Sequence, residues 1–506
     1  MSPRGLADAL APHWVVFAVL GAIFAVMVMI AALRRGHADD GTVPVSTVVG
    51  WVTVFLVPPM VGIAVRIAGF GVPAALFTSF LAAVVLLWVF SLVEEFVPAL
   101  VAVVAALFVG LAPPNVALAG FSSPTLLLLL GVYALSAVIS SSGLSYRLML
   151  RLLLLLPDKP FWQQFTLFGY GYAISPMMPS TNTRVSLLMP MYQDMVTALR
   201  LPKRGPAITA LLAAMFGGAV IIGPMMVTSK SANIAALTLL PAQTQAEFNG
   251  LFWLVAAAVA AVGMTTVHLA VLPRLFPIRD QAALPRAEIR DQLADLGPTR
   301  PAEWIAAGGS LFFLIGCATV SWHHVMPAYL AGYVLLALLL SGTLLRKDFR
   351  NQIDWPMIFF LLGADSLIRI MNYLGLDRAL ARITGQVYGF VSGSLGLFIL
   401  AALITTLAIR LAVPVIPGML TSVTVLLPVA ATQGINLWIA VFCAAVFSDI
   451  SFFRYQGSNG ILQFQSAGLF DEVDERGFLR YHMLMNAARV AVVYASIPWW
   501  SWLGLL

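Results

Sequence analysis

The sequence predicts an all-α polytopic membrane protein. Apolar residues make up 60% of its 506 residues and charged residues only 10%, against about 45–50% and about 25% in ordinary soluble domains. The 28 lysines and arginines and the 22 acidic residues are too few to cover a soluble surface of this length. A bilayer core needs about 20 apolar residues per helix, so we expect about 11–13 spans. This composition excludes a disordered chain, a nucleic-acid scaffold and a secreted disulfide framework.

The apolar runs divide the chain into four parts. Residues 1–96 contain N-terminal spans that we assign to a scaffold. Residues 97–277 and 302–506 form two halves, and a polar linker at 278–301 joins them. Because arginine is concentrated in the linker, the positive-inside rule places it in the cytoplasm.

Each half contains an apolar stretch that polar and helix-breaking residues interrupt at membrane depth. We expect a re-entrant hairpin near 161–199 and a broken helix near 207–240 in the first half. The second half should have a hairpin near 391–431 and a broken helix near 436–465. Non-helical backbone in hydrocarbon leaves polar groups unpaired unless protein or a water-filled cavity shelters them. Paired interruptions therefore favour two inverted repeats that share a binding site near the midplane.

Two short segments support the repeat. PSTNTRVSLLMP at 179–190 and PGMLTSVTVLLP at 417–428 both begin and end with proline, and Thr183 and Thr421 coincide. Chance similarity between two leucine-rich segments is the alternative. The broken stretches that follow both segments, which include Lys230 and Ser458, favour a true repeat.

Three motifs carry a family resemblance. They are Pro179-Ser180-Thr181-Asn182-Thr183-Arg184, then Met225-Met226-Val227-Thr228 followed by Asn233, and finally Trp499-Trp500-Ser501-Trp502-Leu503-Gly504. Together they resemble the divalent anion:sodium symporter (DASS) family, in the citrate and dicarboxylate branch that includes the plastid dicarboxylate translocators. The resemblance implies a homodimer whose transport domain moves against a scaffold, with Na⁺ and a substrate carboxylate at both hairpin tips. The changed Ser-Asn-Thr order, and a second tip at 418–422 that lacks asparagine, depart from the family pattern.

Hydroxyls, amides and half-helix N-termini can bind a carboxylate without leaving a large net charge in the protein. An arginine fork matches a carboxylate geometrically. The predicted substrate-binding residues are Ser180, Thr181, Asn182, Thr183, Arg184, Thr228, Lys230, Asn233, Thr421, Ser422, Ser458 and Asn459.

A coupling Na⁺, the only cofactor expected, requires oxygen ligands. Its predicted ligands are Ser180, Asn182, Thr183 and Thr421. The alternative is structural, because serine and threonine often bond back to their own helix. Basic residues such as Lys230 can likewise snorkel or neutralise a buried acid.

These residues predict a secondary transporter of small di- or tricarboxylate anions that works by alternating access, as a Na⁺ symporter or an anion exchanger. A cation/proton antiporter of the same broad superfamily and a transporter of sulfate or another inorganic anion are the alternatives. We do not expect an enzyme, because the sequence shows no clustered carboxylates or Ser/His pair at membrane depth. We expect a multi-pass protein of a bacterial inner membrane. We also expect Arg184→Ala to weaken anion binding more than folding.

Overall fold

A computed structural model describes residues 45–248, 250–278, 284–391, 393–452 and 469–506, and the regular structure in these ranges is helical. In the first half of the chain the helices are α1 (Val45–Ile67), α2 (Val72–Val89), α3 (Phe96–Phe108), α4 (Pro114–Ala117), α5 (Thr125–Ser141), α6 (Leu144–Leu155), α7 (Pro160–Ile174), α8 (Thr181–Ala198), α9 (Pro206–Val220), α10 (Ser231–Thr238), α11 (Ala242–Phe248), α12 (Leu251–Ala256) and α13 (Ala258–Leu275). In the second half they are α14 (Arg286–Asp295), α15 (Pro301–Ala318), α16 (Val320–His323), α17 (Pro327–Leu340), α18 (Arg346–Asn351), α19 (Trp355–Tyr373), α20 (Leu376–Val387), α21 (Leu395–Arg410), α22 (Val415–Thr432), α23 (Leu437–Phe447), α24 (Leu469–Glu472), α25 (Glu475–Ala495) and α26 (Ile497–Trp502).

Several described helices are long and apolar enough to cross a bilayer. Six of them meet this test: Thr47–Ile67, Val72–Val89, Pro206–Met225, Ala258–Leu275, Pro301–Ala318 and Val415–Thr432. A seventh span results if α5 and α6, which meet at a bend of 61°, are counted as one. Helices α3, α17, α21 and α23 are apolar but shorter. The predicted all-α polytopic fold is confirmed, and the number of about 11–13 spans stays a prediction.

One compact unit combines α1 to α4 with α19 and most of α20. Within it, α19 packs on α2 through the edge-to-face rings of Trp88 and Phe360, whose centroids are 5.8 Å apart. Asp365 pairs with Arg369 one helical turn later in α19, with Nε 3.1 Å from the carboxylate oxygen. The prediction of N-terminal spans before residue 45 lies outside the described residues.

The second compact unit contains α5 to α18, α21, most of α22 and α23 to α26. At its centre is α9, because every residue from Ala207 to Met225 is buried. A helix that is apolar on every side is suited to this interior position. Glycine allows α7 to touch α9: a Cβ on Gly218 would lie 2.5 Å from the carbonyl oxygen of Phe168.

The linker between the two halves is tied to the second unit. Arg147 of α6 makes a two-pronged ion pair with Glu303, with N···O distances of 2.5 and 3.1 Å. The same guanidinium donates to the carbonyl of Gly297 at 2.8 Å. The described part of the linker therefore folds against α6 and α15, and its cytoplasmic placement stays a prediction.

Candidate functional site

The first helical break lies directly after the buried helix α9. Two single 3₁₀ turns, Gly223–Met225 and Val227–Ser229, separate α9 from α10. Asn233 of α10 closes the break, since its amide donates to the carbonyls of Gly223 at 2.7 Å and Met226 at 2.9 Å. The side chain therefore satisfies backbone groups that an unbroken helix would have paired internally.

The first hairpin turns at residues 175–180, between α7 and α8. Ser180 is the N-cap of α8, and its hydroxyl accepts a hydrogen bond from the backbone N–H of Thr183 at 3.3 Å. The carbonyl of Pro179 accepts from the N–H of Ser231 at 3.2 Å. The tip of the hairpin therefore contacts the first break, as the shared site requires.

Arg184 joins the hairpin, α9 and the break at one point, and its side chain is fully buried. Its Nε donates to the carbonyl of Ala219 at 2.8 Å, and one Nη donates to the carbonyls of Met178 and of Ser229, the latter at 2.6 Å. The other Nη donates to the hydroxyl of Thr181 at 3.1 Å. Protein acceptors thus take four of its five N–H groups, which favours a role in holding the backbone over direct contact with an anion.

The second predicted break begins after α23, and residues 453–468, which would complete it, lie outside the described residues. That helix ends at Phe447, and residues 448–452 are not helical. Arg410, the last residue of α21, donates from Nε to the carbonyl of Ser448 at 3.0 Å. Both breaks are thus held alike: an arginine donates to the carbonyl of the serine just before a charged residue, Lys230 or Asp449.

An ion pair joins the two breaks. The ammonium of Lys230 contacts one carboxylate oxygen of Asp449, and both side chains are more than nine-tenths buried. The two residues lie 219 positions apart in the sequence. The pair therefore confirms that Lys230 has a buried acid as its partner, which was the structural alternative for this lysine.

Further polar residues surround the ion pair. His482 contacts the hydroxyl of Ser451 at 2.9 Å, and Asn486 donates to the carbonyl of the same serine at 2.8 Å. Arg489 donates to the side-chain oxygen of Asn486 at 3.3 Å. All of these residues are buried. Helix α25 thus supplies a network that fixes the second break next to Asp449.

The resulting cluster carries a surplus of positive charge. Its cations are Arg184, Lys230, Arg410 and Arg489, all at least 93% buried. Arg184, Lys230 and Arg489 all interact electrostatically with Asp449, and Arg410 and Arg489 both interact with Lys230. Asp449 is thus a shared partner of Arg184, Lys230 and Arg489. These three cations and Asp449 together carry a net charge of +2, without counting Arg410 or His482. Such a charge is costly away from water unless an anion balances it.

Three buried oxygens near the first tip have no hydrogen-bond partner among the described residues. They are Oδ1 of Asn182, Oδ1 of Asn233 and Oγ of Ser229. Buried polar atoms are normally paired. Unpaired oxygens of this kind suit a hard cation or a hydroxyl donor from a bound molecule. Among the described residues, no three or more His, Cys, Asp or Glu side chains lie close enough together to hold a metal ion.

The segment predicted to form the second tip, residues 418–422, lies inside a helix. Helix α22 begins at Val415, so Thr421 and Ser422 are inside it and well past its start. Ser422 is buried, and its hydroxyl donates to the carbonyl of Gly418 at 2.7 Å. Serines in membrane helices commonly bond in this way to a carbonyl one turn earlier. Within the described part of the chain, no recorded hydrogen bond joins Thr421 to the first tip. The proline spacing therefore placed this tip too far along the chain, because the helix starts directly after Pro414.

The remaining predicted residues lie in the first break or outside the described residues. Thr228 lies in the first break and is buried. Ser458 and Asn459 lie outside the described residues. Sequence reasoning gave no role to Arg410 and did not consider Arg489, although each is an isolated charge in an apolar run. That isolation is the signal that would have identified both.

Known proteins resemble this chain at the family level. The family model of CitMHS, described as citrate transporter, matches residues 85–446. A protein described as membrane protein from Cupriavidus necator is 24% identical over 255 residues, which cover 49% of this chain and 50% of that protein. Inner membrane protein YbhI of Escherichia coli is 23% identical over 344 residues, covering 66% of this chain and 72% of that protein. The narrower resemblance to the DASS family stays a prediction. Since the family model covers well over half of the sequence, this chain belongs to the CitMHS citrate transporter family.

Proposed function

We propose that this protein is a secondary transporter that carries small di- or tricarboxylate anions across a membrane by alternating access. The observation that carries the proposal is the buried cluster around Lys230, in which Arg184, Lys230 and Arg489 share Asp449 and keep a net charge of +2. An anion with two or three negative charges would bring the cluster close to neutrality. The family description, citrate transporter, points to the same class of substrate.

The substrate anion binds between the two breaks in this proposal. Lys230, Arg410 and Arg489 attract its carboxylates, while Arg184 holds the hairpin tip in place through backbone carbonyls. The hydroxyls and amide at Ser180, Thr181, Asn182 and Thr183, which are half-buried at the tip, complete the contacts. Polar groups on both breaks thus replace the hydration shell that the anion loses.

A Na⁺ ion fits the first tip as a coupling ion. Oδ1 of Asn182 supplies one buried oxygen without a hydrogen-bond partner among the described residues, and the hydroxyls of Ser180 and Thr183 are its neighbours in sequence. Bound Na⁺ would supply a positive charge next to the substrate. Thr421 has no recorded link to this tip, so we propose the site without it. Whether the protein works as a Na⁺ symporter or as an anion exchanger is the question that the transport assay addresses.

The rival functions fit the cluster less well. A cation/proton antiporter needs carboxylates that bind the cation, whereas cations outnumber carboxylates among the described residues of this cluster. Sulfate is a compatible dianion, but the family description favours citrate. We also propose a homodimer in a bacterial inner membrane, the latter because a relative is described as an inner membrane protein.

Uptake of labelled citrate into proteoliposomes tests the proposal. The assay is run with and without an inward Na⁺ gradient, and then with unlabelled citrate trapped inside. Dependence on the gradient indicates symport, and stimulation by internal citrate without Na⁺ indicates exchange. Failure of citrate, succinate and malate to enter under any of these conditions would refute the carboxylate class, and labelled sulfate then tests the inorganic alternative.

Substitutions test where the anion binds. Lys230→Gln and Arg489→Gln should each lower citrate affinity at least about tenfold, because each removes a buried positive charge worth 1.4 kcal/mol or more to a bound carboxylate. Arg369→Gln is the matched control, since this arginine also pairs with an aspartate in an apolar helix but belongs to the other compact unit. Citrate affinity that stays unchanged in Lys230→Gln and Arg489→Gln would remove the site assignment.

A further inference from the structure

The ion pair between the two breaks leaves one of its polar atoms without a partner. One oxygen of Asp449 contacts Lys230, but Oδ2 is buried and has no hydrogen-bond partner among the described residues. A buried ion pair that serves stability alone needs its remaining polar atoms satisfied, because the cost of removing two charges from water otherwise exceeds their attraction. The half-satisfied carboxylate therefore calls for another explanation.

Asp449 has the same chemistry as the proposed substrate. Its carboxylate lies on the ammonium of Lys230, the one lysine of the cluster. Among the described residues, Arg184, Arg489 and His482 also interact electrostatically with it, and Arg410 donates to the carbonyl of the preceding residue, Ser448. A substrate carboxylate that approaches Lys230 meets an ammonium that is already occupied.

We propose that Asp449 is a built-in competitor of the substrate: its carboxylate occupies Lys230 in the empty transporter, and a substrate carboxylate displaces it. This inference rests on the function proposed above. On displacement, Asp449 moves its charge to a neighbouring guanidinium, so that no buried charge is left without a partner. The exchange breaks the one ion pair that is recorded between the two breaks among the described residues. Substrate binding thereby releases a link between the halves of the site.

The competition also sets the affinity and the charge preference of the site. While Asp449 is present, part of the binding energy of each anion goes into displacing it. Without Asp449, the net charge of the cluster is one unit more positive, and the cluster favours more highly charged anions. The competitor therefore keeps binding weak enough for the substrate to leave again.

Asp449→Asn tests the inference through binding rather than transport. The purified protein is titrated with citrate and with succinate by calorimetry. We expect citrate affinity to rise about tenfold, equivalent to about 1.4 kcal/mol, and to rise more for citrate than for succinate. Asp365→Asn is the matched control, since it removes another buried, ion-paired aspartate with one unpaired oxygen, and it should leave both affinities unchanged.

Asp449→Asn leaves Lys230 buried without its partner, so the variant is expressed and purified with citrate and, in parallel, with sucrose. Recovery of folded protein with citrate but not with sucrose supports displacement, since the anion then replaces the missing carboxylate. A variant that binds citrate no more tightly than the wild type, or that citrate does not recover, overturns the inference and makes the pair a structural bridge. If the wild type itself binds neither anion, the proposed function fails instead.

Discussion

Replacing Arg184 by alanine should destabilise the protein far more than it weakens anion binding. The guanidinium is fully buried and donates to the carbonyls of Met178, Ala219 and Ser229. Each buried acceptor left without a donor costs about 1–3 kcal/mol, so three carbonyls amount to about 3–9 kcal/mol. That range is comparable to the whole stability of a typical folded domain, about 5–15 kcal/mol.

The assay is thermal unfolding of the purified protein in detergent, followed by citrate titration of the folded fraction. We expect Arg184→Ala to lower the midpoint by about 3–9 °C, because the unfolding entropy of a chain of this length is about 1 kcal/mol/K. The fraction that remains folded should bind citrate within about threefold of the wild type, a difference of less than 1 kcal/mol. Arg151→Ala, at an exposed position of α6, is the control and should shift neither quantity. A variant with an unchanged midpoint and lost citrate binding would refute this reasoning and restore the expectation drawn from the sequence.

Two further predictions concern the frame around the site. Glu303→Gln should cost about 2–4 kcal/mol of stability, because it leaves the buried Arg147 without its charged partner. Lys203→Ala removes an exposed ion pair and should cost at most about 1 kcal/mol in the same unfolding assay. Gly131→Ala should prevent normal packing of α5 against α17, because its Cβ would lie 2.2 Å from a backbone carbonyl oxygen. A Cβ added at Gly308 meets no atom within 4 Å. Gly308→Ala should therefore be neutral or stabilise α15 by up to about 1 kcal/mol. Equal unfolding midpoints for the two alanine variants would contradict the packing argument.

The class of fold was readable from composition, because a chain with 60% apolar residues has few other ways to fold. The first break was also readable, since glycine, proline and polar residues at 223–233 interrupt an apolar run. The structure adds what Asn233 does there, which depends on carbonyls ten and seven residues earlier and has no signature in the sequence.

The second half was harder to predict for a physical reason. Pro417 looked like the counterpart of Pro179, but proline is tolerated in the first turn of a helix, where its missing N–H has no partner anyway. Pro417 lies in that first turn of α22, and α22 begins two residues earlier. Spacing between prolines is therefore a poor measure of where a hairpin turns.

The assembly of the charged cluster could not be predicted from one sequence. Lys230 and Asp449 meet across 219 positions, and Arg489 reaches the cluster from a helix near the C-terminus. Only an isolated charge within an apolar run marks such residues in advance, and that mark does not say which charge meets which.

The two arginines that hold the breaks act on backbone oxygens, which every amino acid possesses. A substitution at Met178, Ala219 or Ser448 therefore keeps the carbonyl that accepts the hydrogen bond, although the new side chain has to fit a buried position. Side chains that line the breaks can thus change within the space available to them while Arg184 and Arg410 still hold the backbone in place. The position of the backbone at the breaks therefore does not depend on which side chains line them.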